Sequence, residues 1–479
     1  MFEIIKTQPL ALSIFLPILS SLFLFIFRFL KNPIYIRNFS YSMALINFLF
    51  FSRLFFSENE ISFRLLNFDF LINKTSLFFI FLLSLIVFLF TIFSKNFIKK
   101  SHKLFFISLF LIQGLINFTF SIDNLFVVLI NIFWIILIYF LLNSLFLNSS
   151  EEKKSLEKKL TFDVFIYFIS IFLISYDFIR YFLLNDVEPN LKNIIATLSY
   201  IDNFSIILCF LGFLILIFKF FNFIPFSYEL KVKNTATQGF IDTIQLSVNL
   251  FLGLGLFLKT FSVFEYLFYD FQIYIILFTL INFVFYCFLS TRKDFLSKIS
   301  KDFIPCYISL GLFSVFSFNQ ENLGIFSYMI LALIASYCFI SFCFLILKEK
   351  FGVDDLSEIN KISEKSSRYK FFLGLALLNL VKLPSLALFS ACLICLISAF
   401  TIEFENEFLN LVPYLLILGI LYTSLSSCGL INKILIEPTN QKTDILLSRS
   451  ENICFSLILF IVILISFSFQ YLIKNIFIF

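Results

Sequence analysis

The chain has 479 residues, 60% of them hydrophobic and only 14% charged, with a net charge of +5. A soluble domain carries about 25% charged residues, so a soluble fold of this length would lack polar surface. The excess positive charge sits in a subset of connections, and no basic stripe with interleaved aromatics points to nucleic acid.

Fourteen apolar segments follow one another, at about 9–30, 35–56, 75–94, 103–121, 124–147, 160–184, 203–222, 238–261, 266–290, 303–319, 324–347, 370–401, 408–432 and 451–473. About 20 apolar residues rising 1.5 Å each span a hydrocarbon core. Barrel strands need about 10 residues of alternating polarity, and that pattern is missing. The expected fold class is therefore all-α, a polytopic membrane bundle. The first segment, from Pro9, lacks a small-residue cleavage site and is expected to stay as a helix.

Positive charge marks every second connection. Between these bounds the seven odd-numbered connections hold 22 of the 36 Lys and Arg residues and the six even-numbered ones hold 3. Lys95, Lys99, Lys100 and Lys103 form one such cluster, and Lys153, Lys154, Lys158 and Lys159 another. Cytoplasmic loops retain Lys and Arg, so both termini are expected on the outer side. The implied location is a bacterial inner membrane, with the mitochondrial inner membrane as the alternative.

Two segments carry interruptions. Segment 7 ends in Lys219-Phe-Phe-Asn-Phe-Ile-Pro225, and segment 12 holds Lys382-Leu-Pro384-Ser385 near its middle. Proline removes a backbone donor and clashes with the preceding turn, so each site is an expected helix break. Broken helices at matching positions of two halves mark the transport site in many transporter folds. Two five-helix inverted repeats are expected, over 103–261 and 266–432. Helices 1–3 (1–94) precede them, helix 14 (451–479) follows, and all lie in one membrane domain, 1–479.

Other residue types say less. The 78 Phe residues fit an AT-rich codon bias and read as lipid-facing surface. Nine Cys are dispersed, and the Cys392/Cys395 pair on a membrane segment reads as packing. One loop histidine, His102, cannot assemble a zinc or haem site. No metal, no cofactor and no self-contained active site are expected.

In order along the chain, several short motifs match one family. Phe68-Asp69-Phe70-Leu71-Ile72-Asn73-Lys74-Thr75-Ser76-Leu77-Phe78-Phe79 looks like its "F-x-I-D-G-L-S-L-F-F". Ser121-Ile122-Asp123-Asn124-Leu125 with Phe133-Trp134 looks like "S-x-D-L-L…F-W-E". Phe218-Lys219-Phe220 with Pro225-Phe226, and Leu383-Pro384-Ser385-Leu386-Ala387-Leu388-Phe389, look like "V-K-x-P-x-x-P-F-H" and "L-P-P-L-A-G-F". The chain thus resembles the antiporter-like membrane subunits of respiratory complex I and of multisubunit cation/proton antiporters. A chain ending soon after helix 14 is most like chain M, since chain L adds a long lateral helix.

The resemblance implies a proton path of buried charges in helices 5, 7, 8 and 12. Here the helix-5 Glu position holds Ile135, the helix-8 Lys position Phe251 and the helix-12 Lys or Glu position Cys392. A His used by some members falls on Gln245. Only Lys219 is retained. It reads either as a surviving relay group or as a lysine snorkelling at the end of helix 7. Lys382 reads either as a displaced relay lysine or as a structural donor to carbonyls freed by Pro384. Asp177 and Arg180 could pair on one helix face, with Asp163 nearby. Asn131, Gln245, Asn249, Asn379, Ser385 and Ser390 read as a polar axis or as interhelical hydrogen bonds worth about 0.6 kcal/mol each.

Three functions follow. The first is a membrane subunit of a proton-translocating NADH–quinone oxidoreductase-type complex with a depleted relay and no redox site of its own. The second is the large subunit of a multisubunit monovalent cation/proton antiporter. The third is a non-transporting scaffold. The expected partners are other membrane subunits, the lipid bilayer, and protons or monovalent cations.

Overall fold

The computed structural model describes residues 15–26, 32–58, 60–65, 68–147, 149–175, 201–223, 235–289, 296–316, 322–351, 367–401, 409–431 and 447–476. Helices α1 (Leu16–Ile26) and α2 (Pro33–Ser57) lead into strands β1 (Ile61–Leu65) and β2 (Phe68–Ile72). Then come α3 (Lys74–Phe97), α4 (His102–Ser121), α5 (Leu125–Ser144), α6 (Ser150–Ser175) and α7 (Asn203–Phe220). The remaining helices are α8 (Ala236–Asp270), α9 (Gln272–Leu289), α10 (Leu296–Val315), α11 (Asn322–Phe351), α12 (Ser367–Leu380), α13 (Ala387–Phe400), α14 (Val412–Ile431) and α15 (Arg449–Phe467). Each expected apolar segment holds a helix, and ten helices are long and apolar enough to cross a membrane. The chain is a multi-pass membrane protein.

Polar residues between the apolar runs start the helices. Helices leave their first backbone N–H groups unpaired, and a short side chain just ahead can accept from them. Asn32 accepts from the Ile34 N–H at 3.0 Å, and Asn73 from the Ser76 N–H at 2.9 Å. Ser149 with Glu152, and Ser448 with Glu451, bond reciprocally at the starts of α6 and α15.

Three details depart from the sequence reading. The connection after α2 forms an antiparallel hairpin, Ile61 opposite Ile72 and Leu65 opposite Phe68, with Phe70 bridged to Ile122. The expected gap between segments 8 and 9 is displaced: α8 runs on to Asp270, kinked at Phe264 (φ −116°, ψ 30°). Many phenylalanines are core rather than lipid-facing. Phe79, Phe105, Phe106, Phe110 and Phe251 are buried. Phe79 stacks on Phe120 and meets Phe251 edge-on. Flat rings let helices interlock closely, a use that codon bias does not foresee.

The structure divides into two compact units. One comprises residues 1–220, 226–233 and 251–267, and the other 221–225, 234–250 and 268–479. Within the first, odd-numbered connections meet one another. Arg37, opening α2, donates to the Ile98 carbonyl at 2.9 Å and lies beside His102. Even-numbered connections meet as well. Lys259, beside connection 8, donates to the Ile122 carbonyl in connection 4, at the end of α4, while Lys74 donates within connection 2 to the Phe55 and Glu58 carbonyls at the end of α2. In the second unit Lys350 pairs with Glu451 at 3.0 Å, and Tyr286 donates to the Asn222 carbonyl at 2.7 Å. Those contacts join odd connections 11 and 13, and 7 and 9. Within each unit these contacts thus join odd connections to odd and even to even.

Candidate charge sites around two buried lysines

In the first unit, α6 and α7 run antiparallel and touch closely. A Cβ added at Gly212 would lie 2.7 Å from the Ser170 carbonyl oxygen. Seven residues onward on α7, and seven back on α6, the same face brings Lys219 to Asp163. The Lys219 Nζ donates to the Asp163 carbonyl at 3.0 Å and lies 3.5 Å from its Oδ1. Lys219 is 8% exposed and Asp163 19%. Lys219 therefore does not extend away to solvent. It occupies the last turn of α7, where unpaired carbonyls also favour a cation. The helix ends at Phe220, and Asn222 takes a left-handed φ of 58°. The expected break at Pro225 lies outside the described residues, as do Asp177 and Arg180.

In the second unit the interruption of segment 12 is plain. α12 stops at Leu380 and α13 starts at Ala387. Lys382 (φ 65°) and Ser385 (φ 80°) both lie in the left-handed region. Such backbone costs a β-carbon residue roughly 1–2 kcal/mol and persists only where its surroundings hold it. Here Lys382 holds α14. Its Nζ donates to the Ile420 carbonyl at 3.0 Å, Thr423 Oγ1 at 2.9 Å and Ser424 Oγ at 2.7 Å. An ammonium has three protons, and three acceptors meet them. The carbonyl it takes belongs to α14, not to the turn that Pro384 opens. Asn379 spans the break, accepting from the Leu388 N–H at 3.4 Å.

The positions matched to the family's other charges are buried. Ile135 and Phe251 are both 0% exposed and Cys392 3%. The apolar residues fill space there, and burying an unpaired charge would be costly. Of the polar residues noted earlier, Ser390 makes an interhelical bond, to Tyr328 Oη at 2.6 Å. Asn131 is buried with its amide nitrogen unpartnered, Gln245 and Asn249 are half-buried, and Ser385 is exposed. The sequence reading left Asp163 without a partner and passed over Lys259. The clue to Lys259 was its place beside an even-numbered connection, where a cation is out of pattern. Among the described residues, no group of three or more His, Cys, Asp or Glu could hold a metal ion.

Solved structures share this architecture over nearly its whole length. A chain of respiratory complex I from Thermus thermophilus with bound NADH matches at TM-score 0.80 and 16% identity, covering 97% of each chain. A chain of the membrane-bound sulfane sulfur reductase, an archaeal respiratory membrane complex, matches at TM-score 0.78 and 12% identity, covering 98% of this chain and 96% of that one. A chain of Thermus thermophilus complex I with bound aureothin matches at TM-score 0.71 and 11% identity, covering 96% and 98%. No family model and no curated protein matches the chain. What the chain shares with these respiratory membrane complexes is thus the fold.

Proposed function

We propose that this chain is an integral membrane subunit of a proton-translocating NADH–quinone oxidoreductase-type complex, with a reduced set of relay charges. The observation that carries this reading is the full-length fold match to chains of two respiratory membrane complexes. Of the two repeats proposed from the sequence, 103–261 contains Lys219 and 266–432 contains Lys382. In the proposed relay, Lys219 carries the exchangeable proton and Asp163 supplies its counter-charge. A proton moves through that pair only when the pair opens, so the step is gated by separation of α6 from α7. Lys382 carries a second proton against neutral acceptors alone. Redox chemistry belongs to partner subunits, and the proposed location is a bacterial inner membrane with both termini outside.

A scaffold without transport is the second reading, favoured by the apolar burial of Ile135, Phe251 and Cys392. Purification from native membranes with identification of the accompanying chains tests the proposal. Quinone-module subunits support it, small antiporter subunits replace it with a cation/proton antiporter, and a chain that purifies alone overturns it. Lys219→Met and Lys382→Met then separate relay from scaffold. Abolished proton translocation at intact assembly supports the relay, and wild-type turnover in both variants leaves the scaffold.

A further inference from the structure

The second unit contains a feature that the transport reading does not use. Cys287, two residues from the end of α9, and Cys306, in the middle of α10, bring their sulfurs to 3.5 Å. Both thiols are buried, at 4% and 1% exposed. The Cys287 thiol also faces the Gly419 carbonyl on α14 at 3.8 Å. Only a glycine permits that approach. A Cβ at position 419 would overlap the Phe283 ring and lie 3.1 Å from the Cys287 sulfur. The next residue, Ile420, supplies the carbonyl that receives Lys382. Through Cys287, the sulfur pair is therefore packed against the stretch of α14 that seats the lysine.

We propose that Cys287 and Cys306 are an oxidisable dithiol, a modification site closed by a membrane-permeant two-electron oxidant. A disulfide needs its sulfurs at about 2.05 Å, so closure requires a side-chain movement of only about 1.5 Å between two adjacent helices. In the step, one thiol gives up its proton and adds across the N=N bond of a diazene oxidant to form an S–N bond, and the second sulfur, losing its proton in turn, attacks the first sulfur and breaks that S–N bond. The S–S bond forms, both thiols lose their hydrogens, and the diazene takes them up as its N=N bond becomes a hydrazine. Closure draws the Cys287 sulfur away from Gly419.

The test uses the full-length protein in native membranes. Samples are treated with diamide, quenched with N-ethylmaleimide and digested without reduction, and the peptides are weighed. The expected result is a peptide joining Cys287 to Cys306, two hydrogens lighter than the separate pair and lost on reduction. Cys287→Ser and Cys306→Ser must each abolish it, and in each the remaining thiol must be recovered as a maleimide adduct after denaturation. The exposed Cys428 is the internal control for reagent delivery. Cys428 modified while Cys287 and Cys306 both stay free overturns the proposal. So does a crosslink from either one to Cys392. The wild-type arm decides the matter even if a serine variant fails to assemble.

Discussion

Lys219 and Lys382 solve one problem by different means. Each is an ammonium 8% exposed in an apolar bundle. Lys219 lies within a regular helix and faces a carboxylate. Lys382 lies on broken backbone and faces a carbonyl and two hydroxyls. The comparison teaches that a buried cation needs either an opposite charge or a full set of neutral acceptors. The first choice makes a pair that fails when either member is lost. The second makes a clamp whose acceptors survive on their own, since Thr423 and Ser424 also donate to the Ile420 carbonyl at 2.9 and 2.8 Å.

The largest expected effect follows from the pair. Asp163→Leu strands Lys219 and should lower stability by about 3–5 kcal/mol, the usual result of breaking a buried ion pair. Thermal unfolding of the purified complex measures it, and an unchanged midpoint would break the distinction. Removing both charges together, as Asp163→Leu with Lys219→Met, should recover most of that loss. Lys382→Met should cost less, about 1–3 kcal/mol, because only neutral acceptors lose a charged donor. A larger loss there than in the Asp163 variant would reverse the comparison.

Glycine contacts sharpen the same contrast. Gly212→Ala meets backbone 2.7 Å away and should loosen the Lys219–Asp163 contact, at about 1–3 kcal/mol. A double-mutant cycle between Gly212 and Asp163 should then show coupling, and strict additivity would argue that the helix approach does not position the pair. The smallest effect concerns the break. Ser385→Gly relieves a left-handed backbone at an exposed position and should raise stability by about 1 kcal/mol or less.

How much of this was legible in the sequence depends on range. Helix positions and the break at Lys382-Leu-Pro384-Ser385 were readable because hydropathy and proline act locally. The grouping of connections into two alternating sets was readable because lysine placement follows one rule along the whole chain, and contacts within each unit join connections of the same set. The partner of Lys219 was not, since Asp163 stands 56 positions away beside the Lys158-Lys159 run and looks there like an ordinary solvated charge. Which face of α6 meets α7 is set by side-chain volume at Gly212, which no periodicity records. The hairpin was missed because five-residue strands barely exceed the noise of a connecting loop.

Lys74 and Lys259 carry one last consequence. Both flank even-numbered connections, which hold few cations, and both are tied to the carboxyl ends of helices. Partial negative charge gathers there, so each lysine is offset in part where it stands. Within the first unit, these two cations therefore count for less at the even-numbered connections than the residue tally suggests.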